Sequence, residues 1–246
     1  MPPRLQLVIP CYNEASRFKS EAFLAFVASR SDARIVFVDD GSTDDTAAIL
    51  ADAVTRGRDK MSVVTLPRNV GKARAVQCGV LAAFEQQPEF VGYWDADLST
   101  PLAALPEFIE VLDANPLVDI VIGSRVKLLG RHIDRKMMRH YCGRLFATAA
   151  SLALRVGVYD TQCGAKVFRA NQSVRQAFSP PFQSRWIVDV EILARYIAAN
   201  GPASAKVQIC ELPLRTWTEV PGSKLSKWQA VRAVWDLALI SRRPAR

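Results

Sequence analysis

Short apolar runs alternate with longer amphipathic stretches along the first half of the chain. The runs have the length and residue types of buried strands, and the stretches between them repeat apolar residues at helical spacing. The first run, at 5–9, is predicted to end at Pro10. This alternation predicts an α/β fold in which a mostly parallel sheet carries helices on both faces. Further strands are predicted at 35–38, 62–66, 91–94 and 119–122, and helices up to about residue 29 and at 45–55, 73–86 and 102–114.

Polar residues follow each of these predicted strands. Because the carboxyl ends of parallel strands share one edge of a sheet, where ligands usually bind, these residues are expected to lie together. We therefore predict an active site at this edge. In chain order the residues are Tyr12, Asn13 and Glu14, then Asp39 and Asp40, Arg68 and Lys72, Asp95 and Asp97, and Arg125.

Asp95 and Asp97 are separated by one small residue, Ala96, directly after a predicted strand. Two carboxylates at a strand end suit Mg²⁺ or Mn²⁺, which bind oxygen ligands and leave positions open for phosphate. A strand-end loop with a helix-capping aspartate has the same pattern, so the pair is informative only together with its neighbours. Among these, Gly71 and Lys72 at a predicted helix start favour a negatively charged ligand.

The chain becomes strongly basic after Arg125. Residues 125–144 contain seven lysines and arginines and one acidic residue. Arg131, Arg135 and Arg139 follow helical spacing, and apolar residues continue the pattern to Val156. This predicts a basic amphipathic helix, which either packs on the core as an ordinary surface helix or binds a membrane surface or an anionic substrate.

A polar loop at 160–166, a helix ending near residue 199 and a strand at 207–214 are predicted next. Asp189 and Glu191 lie two positions apart near the start of that helix. They face the same way only if this segment is extended rather than helical.

The C-terminal segment, 225–240, is amphipathic and carries Trp228 and Trp235. Such a helix either docks on its own domain or lies in a membrane interface. No repeat or linker divides the chain. We therefore predict a single domain over 1–246, with a nucleotide-facing half at 1–125 and an acceptor- and membrane-facing half at 126–246.

The composition restricts the partners and the compartment. A net charge of +8 indicates an anionic partner, such as nucleic acid, acidic lipid or a phosphorylated small molecule. The five cysteines contain no C-x-x-C pair, so neither a disulfide framework nor a zinc site is expected, and a reducing compartment fits best. We expect no signal peptide and no transmembrane helix.

Absent motifs exclude several classes of enzyme. The chain has no P-loop signature, no glycine-rich dinucleotide motif after the first strand and no nucleophile elbow. P-loop NTPases, dinucleotide oxidoreductases and hydrolases with a catalytic triad are therefore not expected. Transfer of a group from a nucleotide diphosphate, with a metal ion assisting the leaving group, remains.

Eight sequence blocks, in their order and spacing, resemble family-2 glycosyltransferases of the GT-A fold. The first five are IPCYNE, VDDGSTDDT, RNVGKARAV, DADLSTP and GSR. The last three, DTQCGAKVF, RWIVDVEIL and WTEVPGSKL, resemble the members that transfer glucose to a polyprenyl phosphate such as dolichyl phosphate. The resemblance extends from about Leu5 to Lys224.

This resemblance implies roles for individual residues. Asp95 and Asp97 would hold the metal ion and the diphosphate, and Arg125, Arg139 and Lys224 would bind phosphate of the donor or acceptor. Asp97, Arg125, Arg139 and Asp189 are our candidate catalytic residues. The candidate nucleotide-sugar-binding residues are Pro10, Tyr12, Glu14, Asp39, Arg68, Lys72, Asp95 and Lys224.

The implied reaction is an inverting, metal-dependent transfer of glucose from UDP-glucose to a polyprenyl phosphate. Similar mannosyl enzymes carry an arginine where this chain has Thr218, which favours the glucosyl reaction. A phosphate monoester is already anionic at pH 7, so the acceptor needs no strong general base. Asp189 and Glu191 are then expected to contact sugar hydroxyls or the arginines.

Other functions stay open from the sequence. Mannose from GDP-mannose or an N-acetylhexosamine could be the transferred sugar. An inactive nucleotide-sugar- or lipid-binding protein is the alternative of another class, and the intact D-x-D pair argues against it. No nucleic-acid motif accompanies the basic charge, so nucleic acid is not an expected partner. We expect peripheral association with the cytoplasmic face of a membrane, and homo-oligomer formation is left open.

Overall fold

The computed structural model describes residues 2–135, 137–221 and 236–237. Strands and helices alternate strictly up to residue 124, as predicted. The strands of this half are β1 (Leu5–Cys11), β2 (Ala33–Asp39), β3 (Met61–Thr65), β4 (Phe90–Trp94) and β5 (Ile120–Ser124). Its helices are α1 (Ser20–Ser29), α2 (Thr46–Gly57), α3 (Lys72–Phe84) and α4 (Leu105–Ala114), with 3₁₀ turns at Arg58–Lys60 and Leu102–Ala104.

The second half contains more regular structure than the sequence predicted. Its strands are β6 (His132–Asp134), β7 (Ala165–Arg169), β8 (Ile209–Pro213) and β9 (Thr216–Thr218). Its helices are α5 (Met137–Leu154), α6 (Gln172–Phe178), α7 (Val188–Asn200) and α8 (Pro202–Gln208).

Seven of these strands form one sheet in the order β3-β2-β1-β4-β7-β5-β8. All neighbouring pairs are parallel except those of β7, which runs antiparallel between β4 and β5. The predicted mostly parallel sheet is confirmed. The prediction of a polar loop over 160–166 is wrong at its C-terminal end, because Ala165 and Lys166 belong to β7.

The sheet is buried on both faces, as predicted. In β1, Leu7 and Ile9 contribute to a core formed with α1, α2 and α4, whereas Val8 contributes to a second core formed with α3, α6 and α7. Alternating side chains of one strand point to opposite faces, so the sheet separates two layers of helices.

Pro10 does not end the first strand, contrary to the prediction. It pairs in register with Val38 inside β1. The neighbouring Cys11 directs its carbonyl toward β2, where the Asp40 N–H donates to it at 2.8 Å. The backbone groups of adjacent residues in a strand point to opposite sides, so the nitrogen of Pro10 faces β4. The pairing of β1 with β4 has already ended before this point, at Val8. The missing N–H of proline therefore breaks no hydrogen bond.

The predicted continuous basic helix from Arg131 is wrong. Arg131 and Arg135 lie outside α5, because residues 132–134 form β6, which pairs with β9. Arg139 lies in α5. The predicted C-terminal helix at 225–240 and Lys224 fall almost entirely outside the described residues. In the part of the chain that is described, no helix is long and apolar enough to cross a membrane.

Candidate active site

The loops after β1 and β2 bind each other at the carboxyl edge of the sheet. The backbone N–H of Asn13 donates to Ser42 Oγ at 3.0 Å, and the Asn13 side chain accepts from the Thr43 N–H at 2.8 Å. The Glu14 N–H donates to Thr46 Oγ1 at 2.7 Å, which links this loop to the first residue of α2. Two of the predicted polar clusters thus form one connected surface.

Asp40 connects this surface to the loop after β3. Its carboxylate accepts hydrogen bonds from the backbone N–H groups of Val70 and Gly71 at 2.8 and 2.9 Å and from the Asn69 side chain at 3.1 Å. Burial raises its pKa. The neighbouring Asp39 accepts from the Ser42 N–H at 3.0 Å.

Lys72 is the first residue of α3, and its ammonium lies 2.6 Å from Asp95 Oδ1. Gly71 precedes it with φ +99°, a conformation that favours glycine, and a Cβ there would lie 2.8 Å from the Arg185 carbonyl oxygen. Burial alone would lower the pKa of Lys72, but the charges of Asp95 and Asp189 outweigh it and the pKa is raised. Two predicted site residues, Lys72 and Asp95, therefore form an ion pair.

Asp97 is held by the loop that follows it. Its Oδ1 accepts from the Ser99 N–H at 3.0 Å and the Ser99 hydroxyl at 2.8 Å. Its Oδ2 lies 3.8 Å from Arg17 Nη1. The same guanidinium forms a two-point ion pair with the buried Glu14, and this pairing raises the pKa of Arg17.

Arg17 was missed by the sequence analysis. It joins the loop after β1 to the D-x-D loop, and it also donates to the Pro221 carbonyl at 3.3 Å. The available signal was its position three residues after Glu14, a spacing at which ion pairs commonly form on one turn.

Gly164 contacts both the backbone and the side chain of Asp95. The Asp95 N–H donates to the Gly164 carbonyl at 2.8 Å. A Cβ added at Gly164 would overlap the Asp95 carboxylate. The close approach of the two loops, rather than the φ angle of Gly164, therefore favours glycine here, because a side chain would displace the Asp95 carboxylate.

Arg125 lies at the end of β5 and is engaged by Asp160. Its Nε and Nη2 donate to the two carboxylate oxygens at 2.6 and 2.7 Å, and its guanidinium lies 5.2 Å from the centre of the Trp217 ring. Burial would raise the pKa of Asp160, but the positive charge and hydrogen bonds of Arg125 outweigh this effect and lower the pKa to about 2. The backbone N–H of Asp160 donates to Glu211 at 2.9 Å.

Asp189 faces the protein interior. It pairs with Lys166 Nζ at 2.7 Å and accepts a hydrogen bond from the Tyr93 hydroxyl. Burial raises the pKa of Asp189 and lowers that of Lys166. Asp189 and Glu191 both lie in the first turn of α7 with different partners, so the extended conformation that would align them is not adopted. Glu191 pairs with Arg195 at 2.6 Å.

The remaining predicted residues are less closely connected to this cluster. Pro10 and Tyr12 are half-buried at the end of β1, and Arg68 is exposed at the rim. Arg139 lies in α5, and Lys224 falls outside the described residues.

The carboxylates of the site fit a hard divalent cation that keeps some coordination positions open for other ligands. Asp95 and Asp97 bring two carboxylates from one loop, and Lys72 and Arg17 lie beside them as cations. Among the described residues, no third acidic, histidine or cysteine side chain joins them in a metal-binding group. Mg²⁺ and Mn²⁺ commonly bind through one or two carboxylates together with water and substrate phosphate oxygens.

A mostly parallel sheet with a D-x-D pair at its carboxyl edge is the architecture of GT-A glycosyltransferases. The sequence profile described as "Glycosyl transferase family 2" matches residues 6–171. The chain belongs to this family of enzymes.

Similar curated proteins are dolichyl-phosphate β-glucosyltransferases. The human protein is 31% identical over 255 residues, which cover 98% of this chain and 75% of that protein. The ALG5C protein of Trichomonas vaginalis is 30% identical, covering 95% of this chain and 69% of its own length. The Saccharomyces cerevisiae protein is 29% identical, covering 96% of this chain and 73% of its own length.

A solved structure shares the fold. It is glucosyl-3-phosphoglycerate synthase from Mycobacterium tuberculosis in complex with Mn²⁺, UDP and glucosyl-3-phosphoglycerate. The TM-score is 0.70 at 18% identity, covering 98% of this chain and 81% of that chain. At this identity the likeness establishes the fold alone.

We expect Gly164→Ala to destabilise the protein by about 1–3 kcal/mol, because the added methyl group would overlap the Asp95 carboxylate. Urea unfolding measures the change. Gly157→Ala is the matched control, since a Cβ at that position meets no atom within 4 Å. Equal stabilities of the two variants would contradict the close packing of Gly164 on Asp95.

We expect Asp160→Asn to cost about 3 kcal/mol at pH 7, because it leaves Arg125, whose side chain is only 11% exposed, without its carboxylate. A carboxylate whose folded-state pKa is lowered stabilises the fold above its unfolded pKa, near 4, and this stabilisation is lost as the pH falls through about 2. The difference from the wild type should therefore narrow between about pH 4 and pH 2, as measured by urea unfolding. The exposed Asp59→Asn is the control, and a difference that is independent of pH would contradict the ion pair.

Proposed function

We propose that this enzyme transfers glucose from UDP-glucose to a polyprenyl phosphate such as dolichyl phosphate, with inversion at the sugar C1 atom. The main supporting observation is the D-x-D pair at the carboxyl edge, flanked by Lys72 and Arg17. The likeness to dolichyl-phosphate β-glucosyltransferases over nearly the whole chain supports the choice of sugar and acceptor.

The donor would bind across the loops after β1 to β4. Asp95 and Asp97 would hold Mg²⁺ or Mn²⁺, which supplies positive charge to the departing UDP when it is bound. Lys72 and Arg17 add two fixed cations next to these carboxylates, where the diphosphate would carry its charge. The nucleoside would contact residues at the ends of β1, β2 and β3, namely Pro10, Tyr12, Glu14, Asp39 and Arg68.

The acceptor would bind on the side of Arg125, with Arg139 as a further phosphate ligand. Lys224 would bind phosphate of the donor or the acceptor. The phosphate monoester is itself the nucleophile, so the enzyme has to align it with C1 and screen its charge. Asp189 is only 6% exposed and faces Lys166 and Tyr93. This burial supports a role within the protein interior rather than a contact with sugar hydroxyls.

Thr218 lies close to the D-x-D loop, which supports a part in sugar selection. Its backbone N–H donates to the Ser99 carbonyl at 3.0 Å, and Ser99 in turn binds Asp97. Thr218, the position at which similar mannosyl enzymes carry an arginine, is thus connected through Ser99 to Asp97, a candidate metal ligand.

A lipid-linked acceptor requires contact with a membrane surface, which we place on the cytoplasmic face. Several large apolar side chains of α5 support this proposal because they are between 65% and 76% exposed. Basic residues precede the helix, as expected for binding to anionic lipid headgroups. The exposed apolar residues are Met137, Met138, Tyr141, Leu145 and Leu152.

Transfer of radiolabelled glucose from UDP-glucose to a short polyprenyl phosphate tests the proposal. We expect glucolipid with Mg²⁺ or Mn²⁺, none with EDTA, and a loss on the order of 10²-fold or more in Asp97→Ala, because charge stabilisation of the leaving group is removed. Asp59→Ala, an exposed aspartate remote from this edge, should keep its activity.

Other outcomes would overturn parts of the proposal. If product forms from GDP-mannose but not from UDP-glucose, the proposed site would stand and the proposed sugar donor would be wrong. Absence of product with every nucleotide sugar would indicate a binding protein instead.

A further inference from the structure

Lys166 is a fully buried charged residue in the middle of the central sheet. It is 1% exposed, and β7, which carries it, lies between β4 and β5. A lysine is almost never buried unless its ammonium is paired and hydrogen-bonded. The partners of this ammonium therefore indicate why a lysine stands at this position.

The ammonium has four acceptors within 3.3 Å. The Asp189 carboxylate lies at 2.7 Å and the Tyr93 hydroxyl at 3.2 Å. The two others are backbone carbonyls, of Cys163 at 2.6 Å and of Thr161 at 3.3 Å. The side chain thus reaches back to the turn that precedes its own strand.

This turn, residues 161–164, supports the D-x-D pair. The carbonyl of Gly164 accepts from the Asp95 N–H at 2.8 Å, and its Cα leaves no room for a methyl group beside the Asp95 carboxylate. The turn also follows Asp160, which engages Arg125. A displacement of the turn would consequently move the surface on which Asp95 rests.

We propose that Lys166 is a positioning residue that holds the 161–164 turn against Asp95 and so orients this carboxylate for the metal-nucleotide. The proposal rests on the proposed function of the same site. Lys166 does not face the reacting atoms; it acts through the carbonyls of Cys163 and Thr161. Without it, these carbonyls lose a charged donor, and the turn relaxes away from Asp95.

The test compares the wild type with Lys166→Met/Asp189→Asn. Because the charge of Asp189 also acts on Lys72, the single Asp189→Asn variant, which keeps the lysine that donates to the carbonyls of Cys163 and Thr161, is compared as well. The single Lys166→Met variant would leave an uncompensated buried carboxylate, whereas the double variant removes both charges, so we expect it to remain folded. Lys60→Met is the matched control, because Lys60 also donates to two backbone carbonyls, those of Val27 and Arg30, away from the candidate site.

Three measurements are made on these proteins: hydrogen exchange of the Asp95 amide, binding of UDP with Mn²⁺ by calorimetry, and kcat and KM for glucosyl transfer. In the double variant we expect at least tenfold faster exchange at Asp95, about tenfold weaker binding of UDP with Mn²⁺ and a lower kcat. Lys60→Met should match the wild type in all three.

The outcomes separate this proposal from the proposed function. Unchanged Asp95 exchange in a folded double variant would overturn the positioning role, whatever the activity. A wild type that binds no UDP with Mn²⁺ would overturn the proposed function, while the exchange measurement would still show whether Lys166 holds the 161–164 turn against Asp95. Faster exchange with unchanged nucleotide binding and kcat would show a purely structural contact and would also overturn the proposal.

Discussion

The antiparallel pairing of β7 between β4 and β5 is the constraint on which the site depends. Because β7 runs against its neighbours, the loop before it arrives at the carboxyl edge, where β4 and β5 end. In this register Lys166 stands opposite Tyr93 on one side and Ile122 on the other. The loop at 160–164 is thereby placed between the D-x-D pair and Arg125, and it contacts both.

Pairing of opposite charges dominates this edge. Lys72 pairs with Asp95, Arg17 with Glu14 and Asp97, and Arg125 with Asp160. The net charge of +8 is therefore a poor guide to where an anion binds, since the charged side chains of this edge form nearly balanced pairs. An anionic substrate would bind the cations of the site, and a metal ion would bind the carboxylates. If the two bind together, the site stays close to neutral.

Sequence reasoning succeeded where local pattern and structure coincide. The apolar runs of β1 to β5 and the polar residues after them follow from burial of parallel strands, and the D-x-D pair was identified from these alone. It failed at Lys166, whose charge interrupts an apolar run and made the start of β7 resemble a loop. It also failed at Arg131 and Arg135, where pairing of β6 with β9 overrides helical spacing. Arg17 was overlooked because its partners come from two different loops.

The sequence by itself determined the alternating fold, the family resemblance and the edge at which the candidate residues lie. These properties follow from local periodicity and from short motifs, which can be recognised without knowing which residues are close in space. Only the tertiary structure decided which oppositely charged side chains pair, that Asp189 faces inward, and that Gly164 lies so close to Asp95 that a methyl group would displace its carboxylate. The physical reason is that these properties arise from the close approach of segments distant in the chain, so no local pattern contains them.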